Sequence, residues 1–165
     1  MREPALGILS ALVQLLDGNL SYDGSDVPVY TGVPKNAPSN YIVLEGFRFI
    51  EDLTKDYFGG PARLDIRIVT KQRKGGVSKL PMYSISQQVL QLVKDSKSRT
   101  FDLNEGLLNL HTYVEDTREI EEYGNDGVIF SQLISLRVIY QENGDYLLWE
   151  AGSNLLWAAS SRIKI

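Results

Sequence analysis

Two stretches of the chain carry apolar residues at the three- and four-residue spacing of an amphipathic helix. The first predicts a helix over residues 5–17, with Pro4 suited to its first turn and Asp17-Gly18 as its end. The second predicts a helix over residues 81–95. The apolar positions of the two stripes are Ala5, Ile8, Leu9, Leu12, Val13 and Leu16, then Met82, Ile85, Val89, Leu92 and Val93.

Elsewhere the apolar residues follow the two-residue period of β-strands. Leu64, Ile66 and Ile68 alternate with charged residues, which is typical of an antiparallel sheet with one solvated face. Further strands are predicted at residues 27–30, 41–50, 107–114 and 128–140. Polar turns or loops are predicted at residues 52–61, 70–79 and 115–125. The order of elements predicts an α+β fold, an antiparallel β-sheet with the two helices packed on one face.

The composition excludes several kinds of chemistry. The 165 residues fit one main domain and include no cysteine, so disulfides and cysteine-ligated zinc are excluded. The single histidine, His111, lies in a predicted strand and is interpreted as an ordinary sheet residue. Gly75-Gly76-Val77-Ser78 lacks the spacing of a phosphate-binding loop. We therefore expect no enzymatic activity, no cofactor and no metal, and the absence of an apolar run of about 20 residues predicts no membrane contact.

Charge is distributed unevenly along the chain, whose net charge is −4. Residues 61–100 hold 9 basic and 2 acidic side chains, whereas residues 101–165 hold 4 basic and 11 acidic ones. This segregation suits attraction to a polyanion or head-to-tail pairing of copies. The alternative is that the segments fold next to each other and their charges interleave in space.

The basic segment contains the best candidate for a binding surface. Five cations occur within 13 residues with no acid between them, and they lie beside two glycines. Cations of this kind can follow a phosphate backbone without reading bases. We predict a DNA-channel or inter-ring electrostatic site, and the alternative is a solvent-exposed hairpin loop. The predicted site residues are Arg67, Lys71, Arg73, Lys74 and Lys79.

The C-terminal segment differs from the rest of the chain. Asn143-Gly144-Asp145 ends the last predicted strand, and both tryptophans follow it. We therefore divide the chain into a domain of residues 1–142 and an apolar extension of residues 143–165. The extension is predicted to be an arm that binds a neighbouring copy, and the alternative is that it packs on its own domain. The predicted interface residues are Leu148, Trp149, Leu155, Leu156 and Trp157.

One passage of the sequence resembles a known protein family. The passage Tyr30-Thr31-Gly32-Val33-Pro34, Ala37-Pro38 and Tyr41-Ile42-Val43-Leu44-Glu45 resembles the signature of the tail terminator (tail completion) family of tailed phages. The strand and basic turn of 64–74, the helix of 82–94 and the later turn Asn125-Asp126-Gly127 agree with that family. The resemblance covers roughly residues 5–140. Two features depart from it, namely Asn40 where a proline is common, and the extension beyond Gln141-Glu142.

The resemblance implies a structural protein of a bacteriophage virion, made in the host cytoplasm. Such a protein forms a six-fold or twelve-fold homo-oligomeric ring that caps the tail and joins it to the head. Neck, portal or tail-tube proteins would be its neighbours, and genomic DNA would pass through the ring with non-specific contacts. Two alternatives remain open: a neck or connector ring of a short-tailed phage with the same fold, and a non-viral binding module.

Overall fold

The computed structural model describes residues 3–50, 52–54, 57–73, 75, 78–94 and 101–142. Two helices and eight strands make up the fold in these residues. The helices are α1 (Pro4–Leu16) and α2 (Leu80–Val93). The strands are β1 (Ser21–Tyr22), β2 (Ser25–Asp26), β3 (Val29–Tyr30), β4 (Asn40–Phe49), β5 (Asp52–Thr54), β6 (Tyr57–Arg73), β7 (Leu107–Gly124) and β8 (Gly127–Glu142).

Both predicted helices are present, with bounds within two residues of the predicted ones. Each has a proline in its first turn, where the missing backbone N–H removes no helical hydrogen bond. In α1 the predicted stripe is buried at Ile8, Leu12 and Leu16. In α2 the stripe is likewise buried, with Leu92 half-buried at its margin. The apolar period therefore identified the core-facing side of each helix.

The main sheet has six strands, ordered β3-β4-β6-β8-β7, with β5 paired to β6. Its strands are antiparallel except for the short parallel pair of β3 with β4. The first two strands form a separate hairpin. The α+β class and the largely antiparallel sheet are confirmed.

The core lies between the helices and one face of the sheet. In the pairing of β6 with β8, Leu64 lies opposite Leu136 and Ile66 opposite Ile134. All four side chains are buried in one cluster with both helices, whereas the side chain of Arg63 is 56% exposed. The predicted strand register is therefore confirmed.

Strands extend into three segments predicted as turns or loops, so those predictions were wrong for residues 52–54, 57–61, 70–73 and 115–124. The strand β6 begins at Tyr57 and continues to Arg73, which places Lys71 and Arg73 on a strand and not in a loop. The strand β7 continues through the acidic segment to Gly124, and each residue of 116–124 pairs with β8. Residues 115–124 of β7 are nearly all polar or charged, so this part of the strand lacks the apolar alternation by which a strand is recognised in sequence.

We predict that Ile66→Ala destabilises the protein by about 2–5 kcal/mol, because it removes a fully buried side chain and leaves a cavity. The matched control is Arg63→Ala on the opposite face of the same strand. There the loss of an exposed ion pair costs about 0–1 kcal/mol. Urea unfolding measures both changes. A larger loss for the arginine variant would contradict the assignment of the two faces.

Candidate functional site

The face of the sheet opposite the helices carries most of the charged side chains of its strands, and we call it the outer face. Its members follow from the register of β4, β6, β8 and β7, because residues paired across a ladder share a face. The outer face includes Tyr41, Val43, Glu45, Arg48, Pro61, Arg63, Asp65, Arg67, Val69, Lys71, Arg73, His111, Tyr113, Glu115, Asp116, Arg118, Ile120, Glu122, Ile129, Ser131, Leu133, Ser135, Arg137 and Ile139.

One end of the outer face is apolar. Tyr41, Val43 and Val69 are buried there, with Tyr30 and Ala37 packed against them. Ala37 belongs to the passage that resembles the tail terminator signature, so part of that passage covers this end of the sheet. The ammonium nitrogen of Lys71 lies 5.2 Å from the centroid of the Tyr41 ring, a cation–π contact at the boundary with solvent.

The middle of the outer face is crossed by Arg67. Its guanidinium lies 3.3 Å from Glu122 of β7 and 4.0 Å from Glu45 of β4. The arginine therefore joins carboxylates from strands on either side of β6, all on the outer face. Its side chain is only 28% exposed. Its Nε is buried without a hydrogen-bond partner in the described part of the chain.

A second charged cluster lies farther along the outer face. Glu115 lies 3.1 Å from Arg63 and 3.4 Å from Arg137, so one carboxylate joins β6, β7 and β8. Ser135 donates a 2.6 Å hydrogen bond to Asp65. These side chains line a shallow depression of about 210 Å³ beside the β-bulge of β4.

The opposite side of β7 is joined to α2 by a third cluster. Lys79 lies 3.2 Å from Glu119 and forms an ion pair with Glu121, and Tyr83 donates a 2.6 Å hydrogen bond to Glu119. The hydrogen bonds to Glu121 and Glu119 raise the pKa of the Lys79 amine above its usual range. The hydrogen bonds from Tyr83 and then Lys79 lower the pKa of Glu119. The hydrogen bonds from Lys79 and then Tyr123 lower that of Glu121.

All five carboxylates of β7 thus lie in ion pairs with basic side chains. Arg63, Arg67 and Lys79 come from the basic segment of the sequence, and their partners come from the acidic one. Charges that are segregated in the sequence therefore interleave in the described part of the structure. Of the two arrangements that the sequence left open, the described residues thus show interleaved charges and not a strongly dipolar surface. The five carboxylates are Glu115, Asp116, Glu119, Glu121 and Glu122.

The five predicted site cations do not form one patch in the described residues. Arg67 and Lys71 lie on the outer face, and Lys79 lies on the helix side of the sheet. Lys71 and Arg73 are exposed, and no carboxylate of the described residues lies within ion-pair distance of either. Lys74 lies outside the described residues. So do the predicted interface residues Leu148, Trp149, Leu155, Leu156 and Trp157.

The outer face contains cations that sequence reasoning missed. They are separated by up to 89 positions in the sequence, and only the strand register brings them to one face. The signal available in the sequence was the alternation of Arg63 and Arg67 with apolar residues. The missed cations are Arg48, Arg63, Arg118 and Arg137.

The outer face is net basic although the whole chain is net acidic. It holds seven basic side chains and five acidic ones, whereas the chain has a net charge of −4. The basic set is Arg48, Arg63, Arg67, Lys71, Arg73, Arg118 and Arg137, and the acidic set is Glu45, Asp65, Glu115, Asp116 and Glu122. Such a surface suits weak, non-specific contact with a polyanion.

The described residues provide little for other chemistry. They contain no group of three histidine or acidic side chains arranged to hold a metal ion. Among the same residues, no helix is long and apolar enough to cross a membrane. The site that the described residues support is therefore an electrostatic surface.

We predict that the Lys79 cluster stabilises the fold at neutral pH and loses this effect in acid. Because the pKa values of Glu119 and Glu121 are lowered on folding, their contribution is present above their ordinary value of 4.5 and disappears as the pH falls through the folded values. The difference in thermal unfolding between the wild type and Glu119→Gln/Glu121→Gln should be present at pH 7 and shrink steadily as the pH falls below 4.5. A difference that persists in acid would contradict this assignment.

Comparison with known proteins finds similarity to solved structures. No protein-family model and no curated protein sequence matches the chain. The resemblance to tail terminators therefore rests on the residues quoted for it. A chain in the solved structure of the virion of a native gene transfer agent particle is similar in fold, with a TM-score of 0.52 and 16% sequence identity. The match covers 86% of this chain and 99% of that chain. At this identity the likeness shows a shared fold, which this chain has over most of its length.

Proposed function

We propose that the chain is a non-enzymatic structural protein of a phage-like virion that forms a ring at the head–tail junction. The observation that carries the proposal is the fold shared with a gene transfer agent virion chain along 99% of that chain. The tail terminator resemblance of residues 5–140 supports the same class of particle on independent grounds, because it rests on sequence motifs.

In this proposal the ring caps the tail and joins it to the head, and the outer face is turned toward the DNA. A net basic face on an acidic chain supports this orientation, since phosphates attract the face while the remaining surface repels them. One copy would bind DNA weakly, but a ring repeats the same cations around the channel. Neck, portal or tail-tube proteins would then contact the two rims of the ring.

The direct test is to locate the chain in the particle that carries it. A tagged copy labelled with gold should appear at the junction of head and tail in electron micrographs. Particles assembled without the chain should accumulate as separate heads and tails. Label spread over the head shell, or normal joined particles without the chain, would contradict the proposal.

We predict that reversing three charges near the end of β6 impairs DNA retention or ring stacking. The variant Lys71→Glu/Arg73→Glu/Lys74→Glu replaces the exposed Lys71 and Arg73, which have no acidic partner in the described residues, together with Lys74. The isolated chain should keep its circular dichroism spectrum, because neither Lys71 nor Arg73 is buried. The control is Lys35→Glu/Lys94→Glu, which reverses charges outside the outer face. A normal yield of DNA-filled particles from the triple variant would remove this role.

We predict that the segment of residues 146–165 is needed for assembly and not for folding. It holds two tryptophans and four leucines, and burying each such side chain contributes about 1.5–3 kcal/mol. The resemblance to tail terminators ends near Gln141-Glu142, so we propose that this apolar segment binds an adjacent subunit or ring. The truncated chain should fold, remain in solution and fail to enter particles. Aggregation or unfolding of the truncated chain would instead assign the segment to its own core.

A further inference from the structure

The main sheet has two open edges in the described residues. The strand β7 ends the sheet on one side. On the other side β3 pairs only with Ile42 and Val43, so no described strand lies beside the rest of β4, residues 44–49. We call these the β7 edge and the β4 edge. Open edges of this kind present unpaired backbone groups to any strand that approaches.

The backbone groups on the β7 edge follow from the hairpin geometry. The two-residue turn Asn125-Asp126 joins Gly124 to Gly127, which form the closing hydrogen-bonded pair. In an antiparallel ladder alternate residues direct their N–H and C=O groups toward the partner strand and away from it. The pairing is continuous from Asp116 to Gly124. The groups that point away from β8 therefore belong to Thr117, Glu119, Glu121 and Tyr123.

Exposed apolar side chains are concentrated at the same two edges. Ten large apolar side chains of the described residues are exposed, and six of them lie on β7, at the end of β4 or directly after it. Tyr123 is the most exposed of all, at 74%, and Ile50 beside the β4 edge is 68% exposed. The six are Leu108, Leu110, Ile120, Tyr123, Phe49 and Ile50.

The part of the β7 edge from Asp116 to Gly124 has few of the usual protections against pairing. Edge strands are commonly protected by prolines, β-bulges or free charges; β7 contains no proline, and its two register shifts lie before Asp116. Its carboxylates are held by cations of the same copy, as Lys79 holds Glu119 and Glu121. A strand that docks here therefore meets partly neutralised side chains.

We propose that the β7 edge of one copy pairs with the β4 edge of a second copy, so that neighbouring sheets continue into each other. The two edges lie on opposite sides of one sheet, so the contact is heterologous and repeats from copy to copy. That these repeating contacts close into a ring rests on the proposed function. Pairing of β7 with another β7 about Ile120 would place Glu119 opposite Glu121 and leave both β4 edges open.

Cross-linking tests this contact, because the natural chain has no cysteine and every thiol is an introduced one. Thr117→Cys and Ile50→Cys are combined in one full-length chain and treated with a short bismaleimide. A ladder of dimers, trimers and higher multimers is expected, while each single-cysteine variant stays uncross-linked. Dimers from a separate Ile120→Cys single variant would replace the proposal with β7–β7 pairing, because that pairing places the two Ile120 positions opposite each other. A double variant that stays monomeric would overturn it.

A second pair of variants tests the backbone contact itself. Thr117→Pro removes an N–H that points away from β8, so the intrachain ladder should survive and association should weaken roughly ten-fold or more. Thr117→Val keeps that N–H and is the matched control. Circular dichroism checks folding, and analytical ultracentrifugation measures association. Equal association of the folded proline and valine variants would overturn the edge contact.

The two proposals fail in different ways. Cross-linked rings whose gold label lies away from the head–tail junction would retain the edge contact and reject the proposed location. A label at the junction, together with particles in which the two cysteines never cross-link, would retain the function and reject the edge contact.

Discussion

The pairing of β6 with β8 is the interaction on which the rest of the structure depends. It joins Gly59–Arg73 to Gly127–Gln141 without a break in register. Its inner face buries Leu64, Ile66 and their partners under both helices, and its outer face places the arginines in line. The strands approach so closely at Gly59 and Gly127 that a side chain there would collide with the backbone of the neighbouring strand. A slip of one residue would exchange the two faces and expose the core.

The long ladder also determines where the charges meet. Because β8 extends to Gly127, β7 has a partner strand along its acidic half. Arg67 then reaches Glu122 across β8, and Lys79 joins the start of α2 to the same half of β7. These ion pairs are exposed, so each contributes little alone. Their main effect is to neutralise an edge strand that would otherwise repel an approaching strand.

The described residues offer a net basic sheet face and two open edges with exposed apolar side chains. These features suit the proposed assembly around a polyanion. In the proposed edge pairing, the β7 edge of each copy binds the β4 edge of the next. This one contact, repeated from copy to copy, would hold the proposed ring together.

The sequence alone determined the helices, the core-facing residues and the main strand register, because apolar periods of 3.6 and 2 report directly on burial. Leu64, Ile66 and Ile68 were assigned to the core on this basis. The tertiary structure alone decided that 115–124 is a strand, since charges on both of its faces leave no apolar period. It also decided that Lys79 lies on the opposite side of the sheet from Arg67. Neighbouring positions in a sequence can face opposite sides of a sheet, and distant ones can pair, so a run of like charges does not predict a patch.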